Sequence, residues 1–121
     1  MPLQAGNWTA SIAGMPTQLQ IKSVDQGGLV TGTIGSLTGQ GYWDEDSQKL
    51  FLLCSFAGGP AQVFIAYLFT DSVNLTGVTG TVVFTLAGYV QDFTEQSLQI
   101  VGPTPSAKRP IFGWYAQIGV D

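Results

Sequence analysis

Asn7-Trp8-Thr9-Ala10-Ser11-Ile12-Ala13, a break at Gly14-Met15-Pro16, then Thr17-Gln18-Leu19-Gln20-Ile21-Lys22-Ser23: this stretch decides the fold class. Trp8, Ala10 and Ile12 fall on one side of an extended chain, and Asn7, Thr9 and Ser11 on the other. Leu19 and Ile21 alternate with Gln18, Gln20 and Lys22 in the same way. A period of two puts successive side chains on opposite faces of a strand, one face buried and one wet. Outward from there, Leu29–Gly35, Thr38–Trp43, Leu50–Ala57, Gln62–Thr70, Thr81–Gln91 and Ile111–Val120 also read as strands, with Ser97–Val101 as a further short candidate. Asp25-Gln26-Gly27-Gly28, Asp44-Glu45-Asp46-Ser47-Gln48, Gly58-Gly59-Pro60 and the proline-rich Gly102–Pro110 read as turns and loops. Eight or nine strands at this spacing predict an all-β sandwich or barrel, and alternation by itself does not choose between the two.

The composition bounds the rest. At 121 residues the chain suits one domain, spanning 1–121. Hydrophobic residues make up 45% and charged ones 10%, the opposite of a disordered composition. Lys22, Lys49, Lys108 and Arg109 face eight acidic residues, so the net charge of −4 argues against a nucleic-acid backbone as partner. There is no histidine, which removes Ser-His-Asp and Cys-His catalysis and His-containing metal sites. A lone Cys54 excludes an intramolecular disulfide. No apolar run approaches the ~20 residues of a membrane helix, so no membrane partner is expected. Met1-Pro2-Leu3-Gln4 carries no basic region before an apolar stretch, so no signal peptide is read, which favours the cytoplasm while leaving the compartment open.

Two segments echo each other. Val30-Thr31-Gly32-Thr33-Ile34 recurs as Val78-Thr79-Gly80-Thr81-Val82, and Gly41-Tyr42 recurs as Gly88-Tyr89. Leu50-Phe51-Leu52 and Leu98-Gln99-Ile100 then follow the respective copies. The echo predicts one hairpin geometry used twice around a closed sheet, with chance similarity in a Gly/Thr-rich chain as the competitor.

Gly6-Asn7-Trp8, then Gly14, Gly27-Gly28 and Leu29-Val30-Thr31-Gly32-Thr33, resemble the opening of avidin-like and other calycin barrels. The likeness covers residues 6–36. It implies an eight-stranded antiparallel up-and-down β-barrel with a ligand cavity at one open end. It also implies that Trp8 is structural, at the closed end, and that Arg109 packs across it, against the plain alternative of a solvated charge beside Lys108. Ile34 stands where that family carries a ligand-binding tyrosine, and the later tryptophan-rich strands are missing, so biotin binding is not carried over.

Candidate chemistry is sparse. Tyr42, Trp43, Tyr89, Trp114 and Tyr115 are aromatic groups suited to a concave site. Neighbours on a strand point opposite ways, so one of Tyr42 and Trp43, and one of Trp114 and Tyr115, faces a lumen. Packing in a core or interface is the alternative for all of them. Asp44-Glu45-Asp46 lacks the spacing of a calcium loop and reads as a solvated hairpin turn. Cys54 sits among apolar neighbours and reads as a buried, inert thiol. Asn7-Trp8-Thr9 and Asn74-Leu75-Thr76 match the glycosylation sequon, and random occurrence is the default reading.

The strands at Leu50–Ala57 and Gln62–Thr70, and the last at Ile111–Ile118, are apolar on both faces and are the expected assembly strands: Phe51, Leu53 and Ala57 oppose Leu50, Leu52, Cys54 and Phe56, and Val63, Ile65, Tyr67 and Phe69 oppose Phe64, Ala66 and Leu68. A closed barrel hides one face only, so the second predicts a homodimer or homotetramer, unless a second layer covers it. The expected function is non-catalytic binding of a small molecule in the barrel mouth, with Ser11, Tyr42, Trp43, Tyr89 and Trp114 as ligand-binding residues and no cofactor. Three alternatives stand beside it: a lectin-like carbohydrate binder, a structural or interaction module with a filled barrel, and a barrel isomerase or cyclase working without histidine. The enzyme is the least supported, since no acid–base pair stands out.

Overall fold

The computed structural model describes residues 1–55, 61–70, 73–93 and 111–121. Eight antiparallel strands follow one another in chain order: β1 (Gly6–Ile12), β2 (Met15–Val24), β3 (Leu29–Ile34), β4 (Leu37–Asp44), β5 (Lys49–Ser55), β6 (Ala61–Thr70), β7 (Val82–Phe93) and β8 (Ile111–Val120). Each pairs with the next, and β8 returns to β1, so the sheet is a closed up-and-down barrel. Closure removes the sheet edges that a sandwich would leave unpaired. The Ser97–Val101 strand, the Gly102–Pro110 loop and Arg109 lie outside the described residues.

Two expectations need correction. The first turn is tighter than Gly14-Met15-Pro16: Ala13 (φ 50°) and Gly14 (φ 83°) make a two-residue connection, and Met15 and Pro16 already belong to β2, opposite Ile12 and Ser11. A left-handed pair of this kind matches the twist of the strands it joins. The echoed Val78-Thr79-Gly80-Thr81 is not a strand. It lies in the segment leading into β7, whereas its counterpart Val30–Ile34 is inside β3. The Gly-Tyr half of the echo has a structural counterpart. Gly41 and Gly88 both face inward, where a Cβ would collide with the Phe51 carbonyl oxygen and the Ile65 carbonyl oxygen respectively.

Alternation sorts the side chains as its period demands. Trp8, Leu19, Leu50, Phe64, Leu86 and Ala116 expose no surface, inward side included, so side chains fill the lumen along them. Each of the larger ones contributes about 1.5–3 kcal/mol by leaving water. Phe64 meets the Trp114 ring edge-on, 5.3 Å between centroids at 85°. One inward row runs across the strands as Trp114, Gly88, Ala66, Leu50 and Trp43, small residues between large ones. At the end where β1 begins, Leu3 is buried and Trp8 Nε1 donates to the Gln4 carbonyl at 3.0 Å, making Trp8 a structural residue.

Candidate functional site: an aromatic outer face

The wall formed by β3 to β7 turns an apolar face to water. Register places Leu29, Tyr42, Phe51, Ile65 and Tyr89 on a single cross-strand row, all pointing outward. Tyr42 and Phe51 stack at 5.0 Å with an 11° interplanar angle. Leu53 and Val63 lie on the next row in one direction. Tyr67, opposite Ala87, lies on the next row in the other. Phe69 follows beyond it, opposite Thr85. Tyr42 remains 51% exposed and Phe69 50%, with Leu29, Leu53, Tyr67 and Tyr89 close behind. No helix among the described residues lies over this face.

The five expected ligand-binding residues are therefore not gathered in one pocket. Tyr42 and Tyr89 share the outward row just described. Trp43 and Trp114 point inward and belong to the packed interior, where Trp114 Nε1 donates to the Ile65 carbonyl at 3.2 Å. Each Tyr/Trp neighbour pair is thus split between the two faces, as the strand period requires. Ser11 is half-buried on the outside of β1, opposite Tyr115.

A second feature is a cleft of about 490 Å³ at the end where β1 begins, lined by Pro2, Leu3, Val24, the 25–28 turn, Trp43 and Glu45. The turn β4–β5 supplies its acidic rim. Asp44 accepts from the Asp46 N–H and the Ser47 hydroxyl, and Glu45 Oε2 accepts from Trp43 Nε1 at 2.6 Å. The Met1 ammonium lies 3.1 Å from Glu45 Oε1. The indole hydrogen bond first, then the ammonium, hold the Glu45 carboxyl below its ordinary range. The Asp44–Asp46 run is an exposed hairpin turn, as its composition suggested. Cys54 is fully buried, and loss of water pushes its thiol up to about 12.

The third feature gave no sequence signal. Residues 73–79 fold back over the outside of the barrel where β1 and β8 meet. With Asn7, Thr9, Ile118 and Gly119, residues 76–79 line a polar groove of about 350 Å³. Gln117 reaches into this segment from the outward side of β8 and is wholly buried beneath it. By alternation it reads as an ordinary solvent-facing glutamine. No family model, curated protein or solved structure matches the chain.

Proposed function

We propose that the protein is a non-catalytic binding module whose first partner is a second copy of itself, docked on the outer face of β3–β7. The observation that carries this reading is the exposed row Leu29–Tyr42–Phe51–Ile65–Tyr89. Six large side chains on the face are about half exposed, at about 100 Å² each or about 600 Å² together. That area stands at the upper end of the roughly 300–600 Å² that a monomer leaves to water in its largest patch, and makes up most of the roughly 800 Å² per partner of a stable interface. The rows of Tyr42 and Leu53 carry no charge, and the row of Tyr67 carries the opposite pair Asp44 and Lys49, so the face suits an identical one related by a two-fold axis. A lumen filled by its own side chains favours assembly over a ligand held inside the barrel. Light scattering across a dilution series tests the reading. The wild-type chain is expected to pair, while Leu53→Lys and Tyr89→Lys dissociate at least tenfold more readily and Gln20→Lys, on the far wall, does not. A chain that stays single, or binds only lipid vesicles, overturns it.

A second reading, small-molecule binding, is favoured by the cleft beside Trp43, whose wall combines Leu3, Val24 and an indole edge with the carboxylates Asp25 and Glu45. That mixture suits a small apolar amine. Native mass spectrometry with such amines, read against Glu45→Gln, tests it.

A further inference from the structure

We infer that the segment from Val73 to Thr81 is a side wall of the self-association face, held in position by Gln117, and that Val73 and Leu75 add to the surface a second copy covers. The inference rests on the self-association reading above. It starts from a glutamine that exposes no surface on the outside of a barrel. Gln117 Oε1 accepts from the Leu75 N–H at 2.7 Å, the Thr76 N–H at 3.0 Å and the Thr76 hydroxyl at 3.1 Å. Its Nε2 donates to the Val73 carbonyl at 2.7 Å and to the Thr85 hydroxyl at 2.8 Å. One side chain thus satisfies backbone groups of Val73, Leu75 and Thr76, and its own capacity is fully used. Within the segment, Asn74 accepts from the Gly77 N–H and donates to the Val78 carbonyl.

The segment is held by polar groups, while its apolar side chains face water: Val73 is 76% exposed and Leu75 60%. Neither is placed by burying itself in the fold, so a fixed loop displays two aliphatic groups. Register says what stands next to them. Thr85, which shares the Gln117 amide with Val73, pairs with Phe69 on one side and Gln117 on the other. Neighbouring strands lie about 4.8 Å apart, so the anchor stands about 10 Å from the Phe69 backbone. The segment therefore rises from the sheet two strand spacings from Phe69, at the margin of the apolar face. A second copy seated on the β3–β7 face meets this wall, which limits how it slides.

The test uses the intact chain. Self-association is measured by sedimentation for the wild type, for Leu53→Lys, for the paired change Val73→Lys with Leu75→Lys, and for Gln117→Leu. Limited chymotrypsin cleavage at Leu75 is followed in parallel. The paired change is expected to raise the dissociation constant tenfold or more without altering the fold, since both side chains are exposed. Gln117→Leu is expected to do the same while speeding cleavage at Leu75. A wild type that pairs through Leu53 but ignores the paired change overturns the wall alone. A wild type that never pairs overturns the self-association reading and the wall with it. If Gln117→Leu fails to fold, the paired change still decides.

Discussion

Trp43 Nε1 donates to Glu45 Oε2 at 2.6 Å, tying the last inward residue of β4 to the turn that follows it. The same indole belongs to the buried core, so the bond couples that core to the turn. It also makes a carboxylate part of the fold, which sets a pH dependence. The Glu45 carboxyl titrates below its ordinary value in the folded chain, so the unfolded chain takes up its proton first as pH falls. The stabilisation is full above the ordinary carboxylate value and fades as pH drops through the lowered one. Thermal melts of wild type and Glu45→Gln should differ most near neutrality and converge towards pH 3. A gap that stays constant from pH 7 to 3 contradicts this assignment.

Cys54 offers an alkaline counterpart. Its thiol stays protonated to about 12 because burial disfavours the thiolate. Alkylating reagents at pH 8 should leave it unmodified in the folded chain and label it within minutes in denaturant. Since the unfolded thiol ionises earlier, stability should fall as pH rises above 9, a loss absent from Cys54→Ala.

Gly41 and Gly88 test the bend of the wall. Ala at either position forces a methyl into a neighbouring carbonyl, so Gly41→Ala and Gly88→Ala should each cost at least about 2–3 kcal/mol in denaturant titrations. A methyl added at Gly113 would meet nothing within 4 Å. Gly113→Ala should therefore be neutral or stabilising by about 0.4–1 kcal/mol.

The interior should respond as a packed core and not as a ligand chamber. Phe64→Ala removes a fully buried ring and its edge contact with Trp114, for an expected loss of about 3–5 kcal/mol. Trp114→Phe keeps a ring but abandons the bond to the Ile65 carbonyl, and should cost less. Equal and negligible losses from both would mean that the lumen is slack.

The sequence carried the strands and their faces well, because a two-residue period is a local signal and the strands follow it apart from the register shift between Ile21 and Ser23 in β2. It also carried the doubly apolar character of β5 and β6, which became the outer patch. What it did not carry lies in contacts made across long stretches of chain. Gln117 obeys the alternation rule and is still buried, because its cover comes from residues some forty positions earlier. Val78–Thr81 repeats the letters of Val30–Thr33 without their structure, since Gly80, at φ +144° and packed tightly on Val120, takes a conformation unlike that of a strand residue. The aromatic residues were legible individually, but only the register of β4 to β7 reveals that Tyr42 and Tyr89 align while Trp43 and Trp114 turn away.

The ladder between β1 and β8 has four register pairs, from Thr9–Gln117 to Ile12–Trp114, against ten between β7 and β8. It joins strands from the two extremes of the sequence, so it costs the largest loop entropy of any pairing and is rewarded by the fewest bonds. The cylinder is therefore expected to zip around from its long hairpins and fasten at this seam last. Gln117 sits on the seam itself and recruits the overlying segment across it, acting as a clasp. Amide exchange should find the seam at its most permeable wherever that clasp is undone.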